Sequence, residues 1–304
     1  MIKGFSVKNH LGEKLHVELA SFAETGLVVK TIDGLGPAKG NINMTDNGIA
    51  DGTTYNSSRL DNRNIVFTFA FQDVPDIETV RQRTYKYFPI KKPVELEFFT
   101  DNRQLKTTGY VESNEPTIFS SEEGTVISIL CPDPYLYASG SQSLLTTVMS
   151  GHLGAFEFPF SNESLTEPLM EFGHVVAAEQ KLVRYDGDAP TGFEIYIHAL
   201  GPATMITLTN VLTQKYFKID TAKLSAVLGG PIMAGDDIYI STLRGEKRIY
   251  HTRDGLRRNI LNAVDRESSW LDLVQGDNVF AVVTTSGAEN LQIEVVNRTS
   301  YQGV

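Results

Sequence analysis

The sequence predicts a mainly β protein of two domains, with one amphipathic helix in its first half. Three observations carry this. Apolar residues recur with a period of two in short runs, turn-forming residues separate those runs, and 304 residues exceed what one hydrophobic core usually organises.

The clearest strand is the run Ile65-Val66-Phe67-Thr68-Phe69-Ala70-Phe71, which puts Ile65, Phe67, Phe69 and Phe71 on one face of a half-buried antiparallel strand. Shorter runs of the same kind occur at residues 15–19, 27–32, 94–99, 108–111 and 125–131. Residues 76–88 break the pattern: Ile77, Val80, Thr84 and Phe88 are spaced by three and four, Asp76 after Pro75 is a good N-cap, and Pro89 closes the far end. This reads as one helix laid on a sheet, its basic side (Arg81, Arg83, Lys86) turned to water. Residues 43–63 hold many turn formers and few apolar anchors, so they read either as an exposed loop or as an arm ordered by a neighbouring subunit.

Composition shifts at Cys131-Pro132-Asp133-Pro134-Tyr135, followed by a Ser/Gly tract. The domains are accordingly drawn at residues 1–137 and 156–304, joined by a linker over 138–155. In the second half strands are expected at residues 193–199, 205–210, 215–219, 238–242, 246–251, 279–284 and 291–296, the spacing of a β-sandwich of the jelly-roll kind. No internal repeat relates the halves.

Composition excludes several classes. An apolar fraction of 41% with 21% charged residues fits a folded globular chain and argues against disorder or coiled coil. A net charge of -10 argues against a nucleic-acid-binding face, and Lys91-Lys92 and Arg257-Arg258 read as solvated loop or strand ends. The single cysteine, Cys131, rules out an internal disulfide and sits in an apolar run as a small buried hydrophobe. No signal-like hydrophobic segment opens the chain and no apolar stretch is long enough to span a bilayer, so synthesis in a cytoplasm is expected. The sequons at Asn43, Asn56, Asn162 and Asn297 then carry no weight.

A search for chemistry finds no constellation. The six histidines (His10, His16, His152, His174, His198, His251) lack metal-ligand spacing, and no nucleophile elbow, zinc-protease or phosphate-loop motif is present. Gly34-Leu35-Gly36-Pro37-Ala38-Lys39-Gly40 reads as a turn. Asp186-Gly187-Asp188 and Gly235-Asp236-Asp237 pair carboxylates where tight turns are needed, without further oxygen ligands at loop spacing. Trp270 is open to two readings, a sugar-stacking platform or a core position. No enzymatic activity, cofactor or metal is expected.

The order of these pieces resembles the distal tail protein family of siphophages and prophages of Gram-positive bacteria. In the second half the resemblance rests on Tyr185-Asp186-Gly187-Asp188-Ala189-Pro190-Thr191-Gly192-Phe193, on Gly235-Asp236-Asp237-Ile238-Tyr239-Ile240-Ser241-Thr242 and on Gly245-Glu246-Lys247. It continues through Ser269-Trp270-Leu271-Asp272-Leu273, Gly276-Asp277-Asn278-Val279-Phe280 and the terminal Tyr301-Gln302-Gly303. In the first half it rests on Gly26-Leu27-Val28-Val29, on Arg63-Asn64-Ile65 before the aromatic strand, on the single helix and on the exit at Cys131-Pro132-Asp133-Pro134-Tyr135.

The resemblance implies an N-terminal β-sandwich with one helix that closes into a hexameric ring, and a galectin-like C-terminal β-sandwich projecting outward. It further implies a baseplate hub at the virion tail tip that joins the tail tube (major tail) protein to a tail-associated tip hub protein. Such a ring offers a platform to receptor-binding proteins and leaves a channel through which DNA passes unbound. An acidic chain suits that passage, and no membrane partner is implied. A ring subunit must offer edges or arms to its neighbours, and residues 43–63 are the candidate arm, with Asn43, Thr45, Asp46, Asp51, Tyr55, Arg59 and Arg63 as contact residues. The alternative is a carbohydrate-binding adhesion module of the tail that touches the host cell wall, with Trp270 as its stacking residue.

Overall fold

Strands form here wherever one face of the period-two pattern finds a core. The computed structural model describes residues 1–21, 23–140, 143–153, 174–177 and 180–304, which fall into two units: 1–143 with 300–304, and 144–299. Asn162, the expected domain start at Phe156 and most of the expected linker's far end lie outside the described residues.

The first unit runs β1 (Ile2–Lys8), β2 (Lys14–Glu18), β3 (Leu27–Asp33), β4 (Gly40–Asp46), β5 (Thr53–Leu60), β6 (Arg63–Phe71), α1 (Ile77–Tyr87), β7 (Pro93–Thr100), β8 (Gln104–Thr117), β9 (Gly124–Cys131) and β10 (Leu136–Ala138). Its main sheet is antiparallel in the order β2-β1-β7-β8-β9-β6-β3. Phe5 on β1 and Phe67 on β6 stand four strand spacings apart in that order, about 19 Å in a flat sheet. Their ring centroids are nevertheless 4.7 Å apart. The sheet therefore curls until its ends face each other, and Phe67, Phe69 and Phe98 fill the interior. The alternating strand behaves as its sequence predicts, with Ile65, Phe67, Phe69 and Phe71 all buried.

Helix α1 begins where Asp76 accepts the Thr79 N–H at 2.7 Å, and it buries Val80 and Thr84 against the sheet, with Phe88 buried just beyond its end. Its basic side differs from expectation. The Arg83 guanidinium donates to the Thr25 carbonyl in the loop before β3, and Lys86 Nζ lies 2.8 Å from Glu13. The helix packs close enough to both segments for these cations to find partners there, while Lys86 still faces water as expected.

The second unit runs β11 (Leu145–Leu153), β12 (His174–Ala177), β13 (Lys181–Tyr185), β14 (Phe193–Ala199), β15 (Ile206–Asn210), β16 (Lys215–Ile219), α2 (Thr221–Leu228), β17 (Asp237–Ser241), β18 (Arg248–Arg253), β19 (Leu256–Asn259), β20 (Gly276–Val283) and β21 (Leu291–Asn297). Two antiparallel sheets, β12-β11-β21-β14-β17-β18-β19 and β13-β20-β15-β16, form a β-sandwich. Inward residues from both meet in one core, as where Phe193 of β14 and Phe280 of β20 approach to 5.3 Å. Helix α2, absent from the sequence reading, is held by Asp220 accepting the Ala222 and Lys223 N–H groups and by Gly229 in the left-handed conformation. Among the described residues no helix is long and apolar enough to cross a membrane.

The chain then returns to the first unit. β22 (Ser300–Tyr301) pairs with β10, and Tyr301 packs with Leu105, Leu136 and Ala138. The second domain drawn to residue 304 is thus corrected at its tail: residues 300–304 complete the first unit, because β10 has an unpaired edge and an apolar cluster that they fill.

Asp236 also departs from expectation. The turn around it exists, but its carboxylate is only 1% exposed and accepts from Arg253 Nε at 2.6 Å, Arg253 Nη2 at 2.5 Å and the Met233 N–H at 2.9 Å, with His251 Nε2 3.3 Å away. Burial alone would raise its pKa; the Arg253 and Met233 hydrogen bonds and His251 outweigh burial and hold it at about 2. A carboxyl depressed on folding contributes stability above its unfolded pKa of about 4 and loses it as pH falls through 2. Denaturation followed against pH should show that loss between about pH 4 and pH 2. The Asp236→Asn chain should flatten this part of the profile and be about 2 kcal/mol less stable at neutral pH.

Candidate assembly surface

The segment expected as a loop or arm is a β-hairpin. β4 and β5 pair only with each other, and every residue from Gly40 to Leu60 is exposed. A two-stranded hairpin alone in water is marginally stable. Directly opposed residues of an antiparallel pair share a face, and the register couples Gly40 to Leu60, Ile42 to Ser58, and Met44 to Tyr55. One face therefore carries Ile42 (56% exposed), Met44 (52%), Tyr55 (60%) and Leu60 (39%). The other carries Asn41, Asn43, Thr45, Thr54, Ser57 and Arg59. Covering what remains exposed of the four apolar side chains would stabilise a complex by on the order of 1 kcal/mol each.

A bulge at Asn56 shifts the parity of β5, and local hydrogen bonds hold the ribbon's shape. Asn56 Nδ2 donates to Thr45 Oγ1 at 2.5 Å, Thr54 Oγ1 to Asn47 Oδ1 at 2.6 Å, and the Tyr55 and Ser58 hydroxyls lie 2.8 Å apart. Of the predicted contact residues, Asn43, Thr45 and Arg59 lie on the polar face, Tyr55 and Asp46 on the apolar one, and Asp51 at the tip. The sequence reading missed Ile42, Met44 and Leu60.

Arg63 is the exception. It is 2% exposed and belongs to the root of the arm, because strand parity turns it inward with Ile65 and Phe67. Its five N–H donors reach four backbone carbonyls: Nε and Nη2 to Pro134 at 2.9 and 2.7 Å, Nη1 to Gly34 and Gly36 at 2.6 Å each, and Nη2 to Gln302 at 2.5 Å. Burial lowers its pKa, with Cys131 and Asp133 opposing the shift, and an arginine so placed stays charged. Gly34 serves the same root: at φ +83° a Cβ there would lie 1.9 Å from the Asn64 carbonyl oxygen. The turn read at residues 34–40 is therefore where the arm leaves the sheet.

The remaining candidates separate. Cys131 is buried and free, and burial pushes its thiol pKa up, which keeps it protonated. Trp270 is half-buried against the core, its ring 5.1 Å from that of Phe217 and 5.8 Å from the Lys247 ammonium. His198 Nδ1 is 2.7 Å from Asp237 Oδ1. The side chains of His152 and His174 lie outside the described residues. Among the described residues no group of three or more His, Cys, Asp or Glu side chains is arranged to hold a metal.

No protein-family model and no curated protein matches the sequence. Solved structures do. The SPP1 Dit (gp 19.1) protein, described as a paradigm of the hub adsorption apparatus in phages that infect Gram-positive bacteria, superposes with a TM-score of 0.65 at 12% identity, over 97% of this chain and 98% of that one. The phage P2 baseplate in its activated conformation with Ca aligns over 98% of both chains at 11% identity, with a TM-score of 0.45. The fold of this chain is that of the SPP1 protein over both units.

Removing the Arg63 guanidinium leaves four carbonyls without their donors. Arg63→Ala should cost about 3 kcal/mol or more, and Arg63→Lys should recover only part, since one ammonium cannot span the fork. Urea denaturation followed by circular dichroism checks this, with fluorescence of Trp270, the only tryptophan, reporting a second unit that is left unchanged.

Proposed function

We propose that the chain is the distal tail protein of a siphophage or prophage of Gram-positive bacteria, a non-catalytic hub at the virion tail tip. The observation that carries this reading is the exposed one-faced apolar hairpin β4–β5, a surface suited to contact with another chain. The likeness to the SPP1 Dit fold over nearly the whole chain supports it. Six copies close into a ring through these arms, each arm laid on the first unit of its neighbour. The ring joins the tail tube protein to the tail-associated hub protein, lets receptor-binding proteins attach, and leaves a channel for DNA. The second unit is the galectin-like domain of that family. Assembly takes place in the cytoplasm of the host.

Trp270 does not favour the alternative reading as an adhesion module, because its ring packs against the core beside Phe217, with the Lys247 ammonium 5.8 Å from the ring.

Light scattering on the full chain, with negative-stain microscopy alone and beside its tail partners, should reveal a six-fold ring. The combined Ile42→Asp, Met44→Asp and Tyr55→Asp chain should stay monomeric with an unchanged melting temperature, since none of the three side chains is part of a core. A wild-type chain that remains monomeric at high concentration with its tail partners present would overturn the proposal.

A further inference from the structure

The outward face of the larger sheet in the second unit holds an open groove of about 990 Å³. Strand register orders it into rows. Tyr196 of β14 stands directly opposite Tyr239 of β17, which stands opposite Tyr250 of β18. Glu294 of β21 extends this row on the Tyr196 side. Next to it runs a polar row of Gln292, His198, Asp237, Thr252 and Arg257, each opposite the next. The polar row crosses five strands, about 19 Å at the usual strand spacing, and the aromatic row with Glu294 crosses four, about 14 Å.

The aromatic row is held in place. Tyr196 and Tyr239 lie 5.1 Å apart, and the Tyr239 hydroxyl donates to Glu194. The Arg248 guanidinium sits over Tyr239, and the Arg257 guanidinium covers Tyr250 at 3.7 Å. Tyr196 keeps 42% of its surface exposed on the groove floor. Lining charges balance, Asp237 and Glu294 against Arg248 and Arg257. A polyanion would select guanidiniums without carboxylates beside them, and an apolar peptide would leave these charges buried and unpaired. A pyranose has the complementary surface: a C–H face that stacks on a phenol ring, and a rim of hydroxyls that each donate and accept. Length, balanced charge and the tyrosine row together suit several such rings in line.

We infer that this groove binds a neutral oligosaccharide, with Tyr196 as the stacking floor and Arg248, Asp237 and Glu294 as hydroxyl partners. The inference stands on the second unit alone and is independent of ring formation. The test is calorimetric titration of the full chain with cellotetraose, maltotetraose, galactotetraose, rhamnotetraose and chitotetraose. Poly(glycerol phosphate) serves as the polyanionic probe. At least one neutral tetrasaccharide should bind with millimolar or tighter affinity. Tyr196→Ala should weaken it about tenfold or more, a stacking contribution. Tyr196→Phe should retain it, and Glu294→Gln should weaken it without moving the melting temperature. Absence of binding to all five tetrasaccharides overturns the inference, as does binding that Tyr196→Ala leaves intact. Binding of poly(glycerol phosphate) alone would make the groove a phosphate site. Loss of a tail protein from the assembled particle on Tyr196→Ala, without saccharide binding, would make it a protein contact. Both of those outcomes also overturn it.

Discussion

A guanidinium taken out of water must find partners for five N–H groups, and at Arg63 all of them are backbone carbonyls. The nearby Asp133 carboxylate is engaged elsewhere, with the Tyr135 N–H and the Tyr137 hydroxyl. The acceptors come from three distant stretches of chain: the arm root at Gly34 and Gly36, the exit at Pro134 and the tail at Gln302. One side chain thus fastens the departure of the arm, the departure toward the second unit and the return from it. Val304 N–H, donating to the Leu35 carbonyl at 3.0 Å, repeats the link between tail and arm root. Replacing one buried charge here frees acceptors in all three stretches at once, so the stability of all three depends on the same residue.

That fixed root gives meaning to an arm exposed at every residue from Gly40 to Leu60. A hairpin that exposes Ile42, Met44, Tyr55 and Leu60 on one side gains nothing from folding alone and leaves strand edges open. Held at its base by a buried knot, it presents an apolar face that, in the proposed ring, a neighbouring chain would cover. A net charge of -10 favours solubility of the free chain. The second unit follows the opposite logic. Its core closes on itself, and its outer sheet face is filled by tyrosines tied down by arginines and a carboxylate.

The predictability of these features followed the physics of each segment. Residues 65–71 were readable because each inward aromatic meets the core without interruption, and α1 because Asp76, its spacing and Pro89 agree. The same parity that buries Ile65 and Phe67 also turns Arg63 inward, but a cationic residue beside a polar stretch read as arm. The hairpin was hidden by its own bulge: Tyr55, Ser58 and Leu60 share a face across a shifted register, so no period-two pattern survives in β5. Helix α2 is eight residues long and gave too little periodicity, although Asp220 and Gly229 are good caps. The tyrosine row joins residues 196, 239 and 250 only through strand order, which turn chemistry does not encode. The return of residues 300–304 to the first unit is likewise a tertiary fact.

The central claim is that the β4–β5 hairpin is an assembly arm fixed at Arg63. Hydrogen–deuterium exchange on the free chain and on the assembled ring tests it most directly. The account predicts that amides of β4 and β5 exchange fast in the free chain, become strongly protected on assembly, and that those beside Arg63 are protected in both. Equal exchange of the hairpin amides in the two states, with protection arising elsewhere, would contradict it.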